Sequence, residues 1–95
     1  MLNELFGIIL DRKMNPQPGS YTNKLLDGNL DMVLQKVCEE SVEVILAAKG
    51  QGNQRLIEEA SDLFYHTLVL LARQGVSLAD VEAELRRRHT AQKVK

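Results

Sequence analysis

The acids of this chain are unevenly spread. Glu39, Glu40, Glu43, Glu58, Glu59 and Asp62 put six of its thirteen carboxylates into one window whose only bases are Lys49 and Arg55, a local charge of −4. On a helix advancing about 100° per residue, Glu39, Glu40 and Glu43 share one arc with Lys36, and that arc borders the apolar side instead of opposing it. Glu59, Asp62 and His66 share a second arc, opposite Leu63, Phe64 and Leu71. A run of charges is usually a solvated face. Such faces alternate sign at four-residue steps, however, whereas Glu39 and Glu43 repeat the same sign there and repel. Clustered hard oxygen donors of this kind suit magnesium, which takes a few carboxylates, keeps waters and completes its shell with phosphate oxygens. Lys36, one turn before Glu39 and Glu40, can set its ammonium on a phosphate.

Two acidic stripes need two helices to carry them, and the punctuation of the chain supplies them. Leu2, Leu5, Phe6, Ile9 and Leu10 recur at helical steps and predict a first helix that ends before Asn15-Pro16-Gln17-Pro18-Gly19. Ser20 or Thr22 can cap a short turn from Tyr21 to Asp27, with Gly28 expected as its left-handed end and Asn29 as the next cap. A long second helix follows to Lys49, with Leu30, Val33, Leu34, Val37, Cys38, Val44, Ile45 and Ala48 on its apolar side. Gly50 and Gly52 close it, Asn53 is expected to cap a third helix to about Gln74, and Gly75 ends that one. Ser77 with Asp80 forms a capping box for a fourth, whose apolar face carries Val81 and Leu85. Strand alternation is nowhere sustained, so the expected class is an all-α, four-helix bundle in a single domain spanning residues 1–95.

Composition narrows the partners. With 95 residues, 44% apolar and 4% aromatic, the core must be aliphatic and small. The third helix is apolar almost all round from Leu63 to Ala72, which predicts a bundle completed by homodimerisation. A formal net charge of −1 gives no global case for nucleic acid or an anionic membrane. No apolar run is long enough to suggest a membrane span, and the N-terminus does not resemble a secretion signal. The lone Cys38, expected as inert core, forms no internal disulfide and fits a reducing, cytoplasmic compartment.

Glu40-x-x-Glu43, fifteen residues, then Glu59-x-x-Asp62 resembles the paired acidic motif of the all-α nucleoside triphosphate pyrophosphohydrolases, the MazG-like superfamily. The flanks narrow this: Pro18-Gly19-Ser20-Tyr21-Thr22, Leu25-Leu26, Lys36-Val37, Glu59 through His66, Asp80-Val81, Glu84-Leu85 and Arg88-His89 together resemble the phosphoribosyl-ATP pyrophosphohydrolases of the second step of histidine biosynthesis. Ser41, Ser61 and Phe64 depart from that pattern only at packing positions. The expected form is stand-alone, without the cyclohydrolase domain to which such domains are often fused.

The resemblance implies hydrolysis of 1-(5-phospho-β-D-ribosyl)-ATP to the AMP derivative and diphosphate with Mg2+. Glu40, Glu43, Glu59 and Asp62 would be metal ligands, and Glu39 a further ligand or the base that orients water. His66 could bond a phosphate, orient a carboxylate, or simply pack beside Tyr65. Ser20, Tyr21 and Thr22 could bind ribose or adenine where they do not merely cap, and Lys24 could add a phosphate contact. Arg86, Arg87, Arg88, Lys93 and Lys95 give the last ten residues a charge of +5. They form either a solvated tail or, through Arg88, a site for the phosphate on the extra ribose. Two other readings stay open: a house-cleaning hydrolase of ordinary or damaged triphosphates, and a non-enzymatic helical module whose acids bind a basic partner.

Overall fold

A computed structural model describes residues 1–91. Five helices follow one another: α1 (Leu2–Met14), α2 (Tyr21–Asp27), α3 (Leu30–Gly50), α4 (Asn53–Arg73) and α5 (Leu78–Thr90). No strand occurs among the described residues, and the capped turn after the proline loop is a short helix in its own right.

Three of the helix starts are made as their side chains dictate. Ser20 Oγ accepts from the Asn23 amide at 3.2 Å, and Asn29 Oδ1 accepts from the Asp31 amide at 2.8 Å. At α5 the capping box is complete, the Asp80 amide donating to Ser77 Oγ at 3.1 Å and the Ser77 amide to the Asp80 carboxylate at 3.0 Å. Two expectations fail. Asn53 is the first residue of α4, and its cap is Gly52, whose φ of 89° only glycine adopts readily. Gly28 is not left-handed, with φ −81° and ψ −162°. Glycine is needed there because a Cβ would stand 2.6 Å from the Lys24 carbonyl oxygen.

The core joins Phe6 and Ile9 of α1, Leu25 and Leu26 of α2, Val33 of α3, and Leu68, Val69 and Ala72 of α4. It sits where α3 begins and α4 ends. Side chains tie the same end together: Lys13 Nζ donates to the Ala72 carbonyl and Arg73 to the Leu25 carbonyl, each at 2.8 Å. The buried Asn23 donates to the Arg12 carbonyl at 2.8 Å and accepts from the Gln17 amide at 2.9 Å, fastening the proline loop. The α3–α4 hairpin, closed by a short loop and therefore antiparallel, is thus clamped at one end by α1 and α2.

The apolar sides extend well beyond this core. On α3 only Val33 and Ala47 are buried, whereas Leu34, Cys38, Ile45 and Ala48 are exposed. Cys38 is therefore not a core residue: it lies on the part of the apolar side that turns away from α4. On α4 the burial of Leu68, Val69 and Ala72 meets the expectation, but Ile57 and Phe64 stand open. Leu78 alone among the α5 residues packs against the core, and Val81 and Leu85 are exposed instead of facing it. No described helix is long and apolar enough to cross a membrane.

Candidate active site

Antiparallel packing of α3 on α4 brings the two acidic stripes against each other across the hairpin. Near the clamped end, Glu40 meets His66: Glu40 Oε1 lies 2.6 Å from His66 Nδ1, and both side chains are nearly buried. One turn nearer the loop, Glu43 stands against Glu59 across the hairpin. The contact with Glu43, reinforced by burial, raises the Glu59 pKa, and Arg55 opposes the rise from the other side. Glu59 is buried, so its stripe is not a solvated face, although Asp62 on the same stripe is exposed.

The start of α2 closes this arrangement from above. The Tyr21 hydroxyl lies 2.9 Å from His66 Nε2, and the Thr22 hydroxyl bonds the Tyr65 hydroxyl. Desolvation raises the Tyr21 pKa, Lys36 opposes this, and Tyr65, Glu40 and Asp62 add to it, so the phenol stands within the field of the site's charges. Beside it an open groove of about 420 Å³ is lined by Tyr21, Leu25, Met32, Gln35, Lys36 and Glu39. The groove offers an apolar wall, an amide, an ammonium and a carboxylate on the flank of the acid cluster.

The donor set suits a hard divalent cation. Glu40 Oε1 is buried without an aligned hydrogen-bond donor, and Glu43 disfavours the charge on Glu59, a repulsion that a cation would relieve. Among the described residues no three metal-ligating side chains converge, so holding an ion there would take side-chain rotation.

Other candidate residues lie apart. Ser20 spends its hydroxyl on the α2 cap, and Lys24 is exposed in the last turn of that helix. Arg88 is held 2.8 Å from Glu84 on its own helix, as Arg87 is at 2.5 Å, and α5 does not carry them to the acids. Lys93 and Lys95 fall outside the described residues. Two participants were not assigned a role from sequence. Arg55 pairs with Glu58 at 2.6 Å and Glu59 at 2.7 Å, a contact its i, i+4 spacing from Glu59 makes readable. Tyr65 anchors Thr22 across 43 positions, for which the sequence carries no spacing signal.

Comparison with known proteins bears on the same stretch. The family model described as phosphoribosyl-ATP pyrophosphohydrolase matches residues 2–89. The chain belongs to this family. Relatives named phosphoribosyl-ATP pyrophosphatase include one from Listeria welshimeri, 54% identical over 88 residues, which are 93% of this chain and 84% of that protein. One from Clostridium acetobutylicum is 47% identical over 89 residues, 94% of this chain and 81% of the relative. A third, from Streptococcus thermophilus, is 48% identical over 92 residues, 97% and 88% of the two chains. The family match takes in both acidic pairs, the α2 segment and the Arg88 region alike.

Proposed function

We propose that this chain hydrolyses 1-(5-phospho-β-D-ribosyl)-ATP at its α–β phosphoanhydride, the second step of histidine biosynthesis, with Mg2+ held by the carboxylates of α3 and α4. The observation that carries the reading is the approach of Glu43 to Glu59 across the hairpin of a family member, two acids kept together although Glu43 disfavours the charge on Glu59. Glu40, Glu43, Glu59 and Asp62 would hold the ion. Bound there, Mg2+ would supply charge neutralisation at the anhydride oxygens and a water of lowered pKa. Glu39, exposed at the groove, either takes that water's proton or joins the ligands. Lys36 holds a phosphate with its ammonium. Tyr21, Thr22 and the groove beside them receive the nucleoside, with Lys24 at its edge. As the water oxygen bonds to phosphorus the bridging P–O bond breaks, releasing the AMP derivative and diphosphate.

A second copy of the chain completes the molecule in this reading. Ile45 and Ile57 are each 58% exposed and Phe64 55%, on the side of the hairpin turned away from the acids. Covering such a side with its own symmetry mate makes an isologous four-helix contact. Arg88 on α5 is the candidate for the ribose phosphate that distinguishes this substrate from ATP. An exposed unpaired thiol at Cys38 suits a reducing cytoplasm.

The deciding experiment is diphosphate release from phosphoribosyl-ATP against a panel of dNTPs and ATP, with and without Mg2+. Strong preference for phosphoribosyl-ATP is expected. Equal kcat/KM across the panel would favour the house-cleaning reading, and no turnover of any triphosphate would favour the binding module.

A further inference from the structure

We propose that His66 is a positioning residue for Glu40, and that Tyr21 fixes His66 for that task. The inference rests on the metal reading above and assigns to a buried imidazole the job of presenting one carboxylate. Nδ1–H of His66 is aligned on the Asp62 carbonyl at 3.0 Å. Nε2 pairs with the Tyr21 hydroxyl at 2.9 Å, so both ring nitrogens have partners. The ring itself is clamped. It is 6% exposed, meets Tyr65 edge-on with centroids 4.9 Å apart, and meets Tyr21 at 5.9 Å.

A histidine present only to pack would be complete at this point, with both nitrogens bonded. Yet the same Nδ1 stands 2.6 Å from Glu40 Oε1, which is buried and has no other polar neighbour within bonding geometry. This contact places Oε1 against the imidazole inside the hairpin. Carboxylates that hold metal ions are commonly oriented by such outer partners, whose loss typically weakens metal affinity about 10- to 100-fold. Tyr21 adds a second consequence. Its phenol lines the groove beside the acids, so a nucleotide seated there touches the residue that sets the imidazole facing Glu40.

The test is Mn2+ titration without nucleotide, followed by the electron paramagnetic resonance signal of the free ion, in wild type and in the variants His66→Phe, His66→Asn and Tyr21→Phe. His66→Phe, which keeps a ring but no donor, should raise the Mn2+ Kd about 10- to 100-fold. It should also raise the Mg2+ needed for half-maximal turnover while leaving KM for phosphoribosyl-ATP within about twofold. His66→Asn, whose amide can donate from near the Nδ1 position, should recover most of the lost affinity. Tyr21→Phe, made at a half-exposed side chain, should weaken Mn2+ by about threefold or more and decides the matter if His66→Phe does not fold. Folded variants that bind Mn2+ as wild type does would overturn the relay alone. Wild type that binds no Mn2+ would overturn the metal reading and the relay together.

Discussion

Across the α3–α4 hairpin Glu59 and His66 are buried and Glu40 is nearly so, whereas on the parts of the same helices opposite their acids Ile45, Ile57 and Phe64 are more than half exposed. Each placement is costly in isolation, since buried carboxylates lose hydration and exposed isoleucines order water. The difference lies in what removes the cost. In the proposed reading a cation would answer the first side and an apolar surface the second, so that one pair of helices would carry a reactive face and an assembly face. Rigidity of the assembly face would then serve the reactive one, because Glu40 and Glu43 can close on an ion only if α3 and α4 keep their spacing.

The comparison breaks most sharply at the carboxylates. Glu40→Gln, Glu43→Gln and Asp62→Asn should each lower kcat/KM about a hundredfold or more while leaving the fold intact, since side-chain size is kept and the charge that holds the ion is lost. Diphosphate release at saturating Mg2+, beside a circular dichroism spectrum, measures it. Near-normal turnover in all three would reduce the acidic side to a solvated face.

Substrate choice probes a region that belongs to neither side. Arg88→Ala should cut the preference for phosphoribosyl-ATP over ATP by about ten- to a hundredfold, the worth of one charge-assisted phosphate contact. Because Glu84 holds Arg88 at 2.8 Å, Glu84→Gln should spare or strengthen that preference by releasing the guanidinium. Ratios of kcat/KM for the two nucleotides decide it. An unchanged ratio in Arg88→Ala would remove its assigned role and leave the hydrolase intact.

The assembly face is tested by charge. Phe64→Glu should convert a dimer into a species sedimenting at the 10.7 kDa monomer mass, with helicity retained because the side chain is 55% exposed within one chain. Wild type already sedimenting as an active monomer would remove the assembly reading of this side.

How far the sequence revealed these faces follows from the range of the forces involved. Caps at Ser20, Asn29 and Ser77 were readable because a cap is local, one side chain and an amide two or three residues on. The acids on α3 and α4 were readable as stripes because helical periodicity fixes angle. Which stripe is buried was not readable, since that depends on a neighbour helix and not on the residue's own. Leu34, Cys38 and Ile45 obey the same periodicity as Val33, yet only Val33 meets α1, α2 or α4 closely enough to be covered. Periodicity marks apolar surface and is silent about whether this chain or another covers it. Tyr21 and His66 lie 45 positions apart, so their contact appears only once α2 is docked.

The smallest effect expected is a pH dependence, and it sharpens the comparison because only the acidic side has it. The Glu59 pKa stands above its ordinary 4.5, chiefly through its neighbour Glu43. A raised carboxyl stabilises the fold while protonated, so its contribution is complete below the ordinary value and is lost as the pH rises through the raised one. Glu84 does the opposite. Its pKa is lowered to about 2 by Arg87 and Arg88, so its solvent-screened contribution is present above 4.5 and lost as the pH falls towards 2. The two windows do not overlap. In EDTA, Tm should therefore decline by a few degrees as the pH rises from 4.5 towards neutrality, and Glu43→Gln should flatten that decline, because an amide donates to ionised Glu59 where a carboxylate repels it. Added Mg2+ should flatten it in wild type for the same electrostatic reason, and Phe64→Glu should leave its slope unchanged. A Tm that is level across this range in wild type, with no difference in Glu43→Gln, would mean that Glu43 does not raise the Glu59 pKa and that the acidic side carries no such repulsion.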